Sequence, residues 1–136
     1  IYELRCVLEA LTTELAVPHV TTDIINQMQQ ALDRMEAYID ANEKMGFARE
    51  NERFHNLILA QCPNKVAVKE VNSLLEMTAA FRRLSWRTAS SMRASMTGHQ
   101  NILNAIRAGD AEAAGQYAAR HIRLYLKENL TNSSQK

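Results

Sequence analysis

The amino-acid sequence predicts an all-α fold, an antiparallel bundle of about six helices. Two observations carry this expectation. Glycine and proline are scarce, 4 and 2 in 136 residues, while Ala, Leu, Glu, Gln, Arg and Met are common, a mixture that favours helix over sheet. Apolar residues recur at steps of three and four along most of the chain, the period of a helix with one buried face, and no segment reads as a strand. With 46% hydrophobic residues the chain can bury one core of single-domain size.

The elements follow from spacing and punctuation. Leu4, Leu8, Leu11 and Leu15 form the apolar stripe of a first helix that stops near Pro18. Thr21 or Thr22 caps a second, in which Ile25, Met28, Leu32, Met35 and Ile39 step by three and four, with Gly46 punctuating its end. That stripe reads equally as a dimer seam or as one core face. A third helix runs from about Ala48 to Gln61 with Phe54 and Ile58 inward, and Cys62-Pro63-Asn64 breaks it, since proline cannot continue a helix. The fourth carries Val68, Val71, Leu74, Leu75 and Phe81 and fades in the stretch Thr88 to Ser91. The fifth holds Met96, Ile102, Leu103 and Ile106, with Ser95 as N-cap. Gly109 and Asp110 are a C-cap and an N-cap in succession. The sixth runs through Tyr117, Leu124 and Tyr125. The polar tail Thr131 to Lys136 is expected to fray.

Composition excludes several function classes. Sixteen basic and 15 acidic side chains leave a formal net charge of +1, so there is no polybasic nucleic-acid surface and no acidic tail. Cys6 and Cys62 lie far apart without a CxxC partner, which fits reduced cytoplasmic thiols better than a secreted disulfide framework. No apolar run approaches the roughly 20 residues of a membrane span, and no signal peptide is visible. The Asn129 and Asn132 sequons are chance matches in such a chain. Because the chain starts at Ile1 in helical pattern, it reads as a fragment whose upstream part is missing.

Chemistry is concentrated in histidine. His19 follows Pro18 in a loop. His55 shares a helical face with Asn51, Ile58 and Cys62; His99 lies in the stripe Met96, His99, Leu103, Ile106; His121 lies in the stripe Ala114, Ala118, His121, Tyr125. Three helices therefore each turn an imidazole inward. Burying three imidazoles costs free energy unless each finds a partner, and a shared metal ion would satisfy all three, neutral imidazole being a common ligand for Zn, Ni, Cu and Fe. Asn51, one turn before His55, can offer a side-chain oxygen to the same ion. The bland alternative is three core histidines, each bonded to a backbone carbonyl.

Four segments in register resemble a known family. Glu3-Leu4-Arg5 with Leu8-Glu9, Asn51 to His55 continuing to Asn64, Gly98 to Ile106, and Gly109-Asp110 followed by Ala113, Ala114 and His121 are similar to the motifs of the FCD domain, the effector-binding domain of GntR-type transcription regulators of the FadR-like branch. The resemblance implies a dimerising helical bundle, residues 1–130, behind an N-terminal winged helix-turn-helix absent from this chain. DNA binding would belong to that missing domain. The resemblance also implies a divalent metal, zinc or nickel, held by one Asp and three His at the positions of Asn51, His55, His99 and His121. Two departures stand out. Asn51 replaces the Asp, and Gly98 replaces a Glu. Without a ligand carboxylate, the ion would keep its full charge, which weakens its retention and strengthens its pull on an anion.

The implied effector is a small carboxylate, such as a hydroxy acid, keto acid, sugar acid or amino acid. It could complete an open metal shell and be gripped by an inward arginine. Arg5 is the first candidate, then Arg82 and Arg83, with Asn104 as a hydrogen-bonding group near His99. Asn101 is off the face of His99. Met28, Met35, Met77 and Trp86 suit a pocket wall, though core packing is the commoner role. Two other readings remain open. One is a helical metalloenzyme, for which no general base is evident and only one Glu-x-x-His, Glu52 to His55, occurs. The other is a metal-free interaction domain.

Overall fold

The computed structural model describes residues 1–86 and 88–134; the side chains at 85, 125, 126 and 128–134 are outside the description, among them Tyr125 of the inward stripe. Helices follow one another as α1 (Tyr2–Ala16), a 3-10 turn (Val17–His19), α2 (Thr22–Asp40), α3 (Lys44–Leu59), α4 (Lys65–Met77), α5 (Ala79–Ser85), α6 (Ala89–Arg107) and α7 (Ala111–Ser134). Among the described residues there is no strand, in keeping with the expected all-α bundle. The main helix pairs are α1 on α7, α2 on α3, α6 on α7 and α2 on α6.

Several elements form as their residues dictate. Thr21 caps α2 by accepting a hydrogen bond from the Ile24 N–H at 3.3 Å. Its stripe Met28, Leu32, Met35 and Ile39 is a core face, at most 4% exposed. Asn64 caps α4 through Ala67 N–H at 3.1 Å. Gly109 takes φ 68°, the left-handed conformation that glycine adopts without penalty, and Asp110 then caps α7 through Ala113 N–H at 3.0 Å.

Three boundaries differ from expectation. Gly46 lies inside α3, because Glu43 rather than a residue near Ala48 begins that helix. The fourth segment is two helices. Thr78 leaves helical geometry at φ −102° and ψ 4°, and its Oγ1 donates back to the Leu74 carbonyl at 2.9 Å, a bond that competes with helix continuation. The Ser/Thr-rich stretch starts α6 instead of ending its predecessor. Thr88 Oγ1 accepts from Ser91 N–H at 3.1 Å while Ser91 Oγ accepts from Thr88 N–H at 3.2 Å, a reciprocal cap, and Ser95 is buried within the helix.

The largest departure is the rotation of α1. Leu4 and Leu11 of the leucine stripe point outward, 52% and 40% exposed, and the buried face carries Arg5, Cys6, Glu9, Thr12, Thr13 and Ala16. That polar face packs on α7, α4 and α3, which brings Arg5 into the interior. Met77 and Phe81 are also outside, at 61% and 50% exposure. Met28, Met35 and Trp86 belong to the core, with Trp86 edge-on to Phe47 at 5.1 Å.

Candidate metal centre and cavity

Three helices converge on one point. Residues Asn51 and His55 lie one turn apart on α3. His99 and His121 lie ten residues before and twelve residues after Gly109. At about 1.5 Å of rise per residue, the α6–α7 hairpin sets those two imidazoles nearly level, and α3 supplies the third from across the bundle.

The Nε2 atoms of His55 and His99 are 3.1 Å apart. Ring centroids lie 5.0 Å apart for His55 and His99, 4.5 Å for His99 and His121, and 5.8 Å for His55 and His121, the last pair stacked at 25°. One donor atom from each ring lies within 4.8 Å of the others. Two nitrogens on a tetrahedral ion at about 2.1 Å would be about 3.4 Å apart. The His55–His99 spacing is close to this, and a donor atom of His121 lies within 4.8 Å of the other two. Phe54 closes one side, edge-on to His99 at 4.9 Å.

Electrostatics favours neutral imidazoles. His99 and His121 are buried, and His55 is half-buried at the cavity floor. Burial pushes His99 from its ordinary value down to about 4, against a backbone hydrogen bond to Ser95 that pulls it up. Burial also holds His55 and His121 well below the usual range, reinforced by the neighbouring imidazoles and, for His55, by the Arg82 and Arg5 guanidiniums. All three are therefore deprotonated near neutral pH, the form that ligates metal. Asn51 is 1% exposed and its Oδ1 has no hydrogen-bond partner. A buried carbonyl oxygen left so is costly, and a cation beside it would satisfy it. The three imidazoles are therefore compatible with a divalent metal ion.

A cavity of about 630 Å³ opens over this point, with Asn51 and His55 in its wall together with Arg5, Arg82, Arg83, Glu52, Glu76 and Trp86. Its size falls within the range of small-molecule sites. Arg5 is 2% exposed; its Nε donates to Glu9 Oε2 at 2.9 Å and its Nη1 to Thr78 Oγ1 at 3.3 Å. Arg82 donates to the Leu75 carbonyl at 3.0 Å, and Arg83 is exposed at the rim. Asn104 is not brought to the site. Five residues after His99, it sits about 140° round the helix, is exposed, and accepts from Gln100 Nε2 at 2.9 Å.

Periodicity had missed Glu9, Thr78 and the rim carboxylates. The Arg5–Glu9 spacing of four was a usable signal, since such residues meet on a helix. Glu52 flanks the cavity and is exposed, so it belongs to the mouth and not to the imidazole cluster. Among the described residues, no helix is long and apolar enough to cross a membrane.

Residues 1–124 match the family model described as the FCD domain. No curated protein matches the chain.

Proposed function

This chain belongs to the FCD domain family, the C-terminal effector-binding domains of GntR-family regulators, and we propose that it senses a small carboxylate at a divalent metal ion. His55, His99 and His121 hold the ion, with Asn51 Oδ1 as fourth donor, and the carboxylate enters through the cavity above. The ion supplies charge and open coordination positions, and the arginines supply the grip. The single observation that carries this reading is the convergence of three imidazoles, those of His99 and His121 buried and that of His55 half-buried in the wall of an arginine-lined cavity.

The chain's own residues divide the work. None of the four proposed ligands is charged, so an ion among them keeps its attraction for an anion. Arg5, fixed by Glu9 and Thr78, and Arg82, fixed by the Leu75 carbonyl, sit close enough to act on His55. A carboxylate there would meet cations on two sides, in a place where water screens them less than at the surface. Arg83 at the rim would steer it inward.

The regulatory account rests on family membership. We place the effector domain at residues 1–130 of a cytoplasmic regulator of the FadR-like branch, behind a winged helix-turn-helix that binds DNA. Two copies pair as a homodimer, and the exposed apolar row Leu4, Val7 and Leu11 on α1 supports such pairing. Effector binding changes operator affinity to the extent that the two dimer states bind effector differently, a coupling of roughly 1–3 kcal/mol in typical cases. Elemental analysis of untagged protein and of His99→Ala tests the metal. About one zinc or nickel per chain, lost in the variant, is expected. A protein that stays metal-free after incubation with both ions would overturn the metal reading and leave an arginine-based anion site.

A further inference from the structure

Gly98 stands in the interior of α6, beside His99. A glycine there weakens a helix relative to alanine, so its presence needs a local reason. Backbone conformation does not provide one, because Gly109 is the only glycine with positive φ among the described residues. Helix packing against another backbone does not provide one either. The atoms that a Cβ at position 98 would meet first all belong to a single side chain, the imidazole of His121: Nδ1 at 2.3 Å, Cγ at 3.1 Å and Cε1 at 3.2 Å.

The first of those distances is far inside van der Waals contact, so the ring would have to move. It has little room to do so. His121 is 4% exposed, its neighbours Ala118 and Ile122 on α7 are 5% and 2% exposed, and its ring is stacked on His55 and edge-on to His99. A shift or a rotation of the ring would change where its nitrogens stand relative to His55 and His99.

We propose that Gly98 is a positioning residue of the centre: its missing side chain leaves a notch in α6 that seats the His121 imidazole within reach of His55 and His99. A Glu at this position, as in the family's pattern, would need the His121 ring seated differently, so this seat is particular to this chain. The ring rests on helix backbone, which is stiffer than any side chain, so its orientation is set before an ion arrives. Gly98 itself touches no ion and no effector. The steric part of the proposal stands on its own; its consequence for metal rests on the reading given above.

A cycle of Gly98→Ala, His121→Ala and the double variant tests it, with two readouts on each protein. The first is the Tm of the metal-free protein in EDTA. Gly98→Ala should lower Tm when His121 is present. In the His121→Ala background, where only helix propensity acts, it should raise Tm by about 2–4 °C. The second is zinc affinity by competition with a chromophoric chelator. Gly98→Ala should weaken it roughly 10–100-fold, the usual scale for a lost supporting contact, and the double variant should bind no more weakly than His121→Ala. A rise in Tm in both backgrounds, or parental zinc affinity in Gly98→Ala, would overturn the proposal. Should Gly98→Ala alone fail to fold, a double variant at or above the Tm of His121→Ala carries the same conclusion. A parent that binds no zinc, combined with the reversal in Tm, would uphold the seating of His121 and overturn the metal reading.

Discussion

Acid should destabilise the metal-free domain well above the range where carboxylates titrate. His99 is held at about 4 by burial, whereas in the unfolded chain it returns to about 6.5. Between those values the unfolded chain accepts a proton that the folded domain refuses, so stability falls as pH drops, by about 1.36 kcal/mol per pH unit for each such group. For His99 alone the loss is about 2 kcal/mol between pH 6.5 and 5 and about 3 kcal/mol by pH 4. His55 and His121 are displaced in the same direction and steepen the fall. Glu9 acts oppositely: burial raises its carboxyl against the pull of Arg5, so its protonation favours the folded state as pH falls. The expected outcome is that the three imidazoles, displaced in one direction, outweigh that one carboxylate. Against a total stability of about 5–15 kcal/mol, the effect is large. Urea unfolding in EDTA at pH 7.5, 6.5 and 5 should show the midpoint falling at constant slope, and His99→Gln should remove about 2 kcal/mol of the difference between pH 6.5 and 5. Equal stability at pH 7.5 and 5 would refute the claim that the fold holds these imidazoles neutral.

Arg5→Gln should cost about 3–5 kcal/mol in urea unfolding at pH 7.5, because it leaves the Glu9 carboxylate buried without its cation; a loss under 1 kcal/mol would mean the pair behaves as a surface ion pair. Asn51→Asp should tighten zinc about tenfold, roughly 1.4 kcal/mol, while destabilising the metal-free protein by burying an unpaired charge; a competition titration with unchanged affinity would remove Asn51 from the ligand set. Asp110→Ala should cost about 1 kcal/mol by uncapping α7, measured as a shift in urea midpoint with zinc stoichiometry retained.

Much of this was legible in the sequence, and what was not has physical reasons. The steps of three and four within each helix, around Asn51 and His55, around His99 and around His121, located the inward faces, because residues three or four apart share one face of a helix. Gly109-Asp110 was legible for the same local reason, a conformation and a cap. Convergence of the three faces was not, since periodicity describes each helix alone. In α1 the leucines suggested the wrong face. The helix instead buries Arg5 and Glu9, whose charges satisfy each other, and counting apolar residues has no means of finding a buried pair that resembles a surface one. Thr88 to Ser91 illustrates a second ambiguity, since Ser and Thr both end and begin helices and only the reciprocal cap decides. The role of Gly98 was hidden because the residue it accommodates lies on another helix.

The most direct test of the central claim is X-ray absorption at the zinc edge on the zinc-loaded domain, with and without a carboxylate such as lactate. The account predicts three imidazole nitrogens at about 2.0–2.1 Å and further light oxygen donors, with the oxygen shell changed when lactate is added. A sulfur donor at about 2.3 Å, or a shell with fewer than three imidazoles, would contradict it.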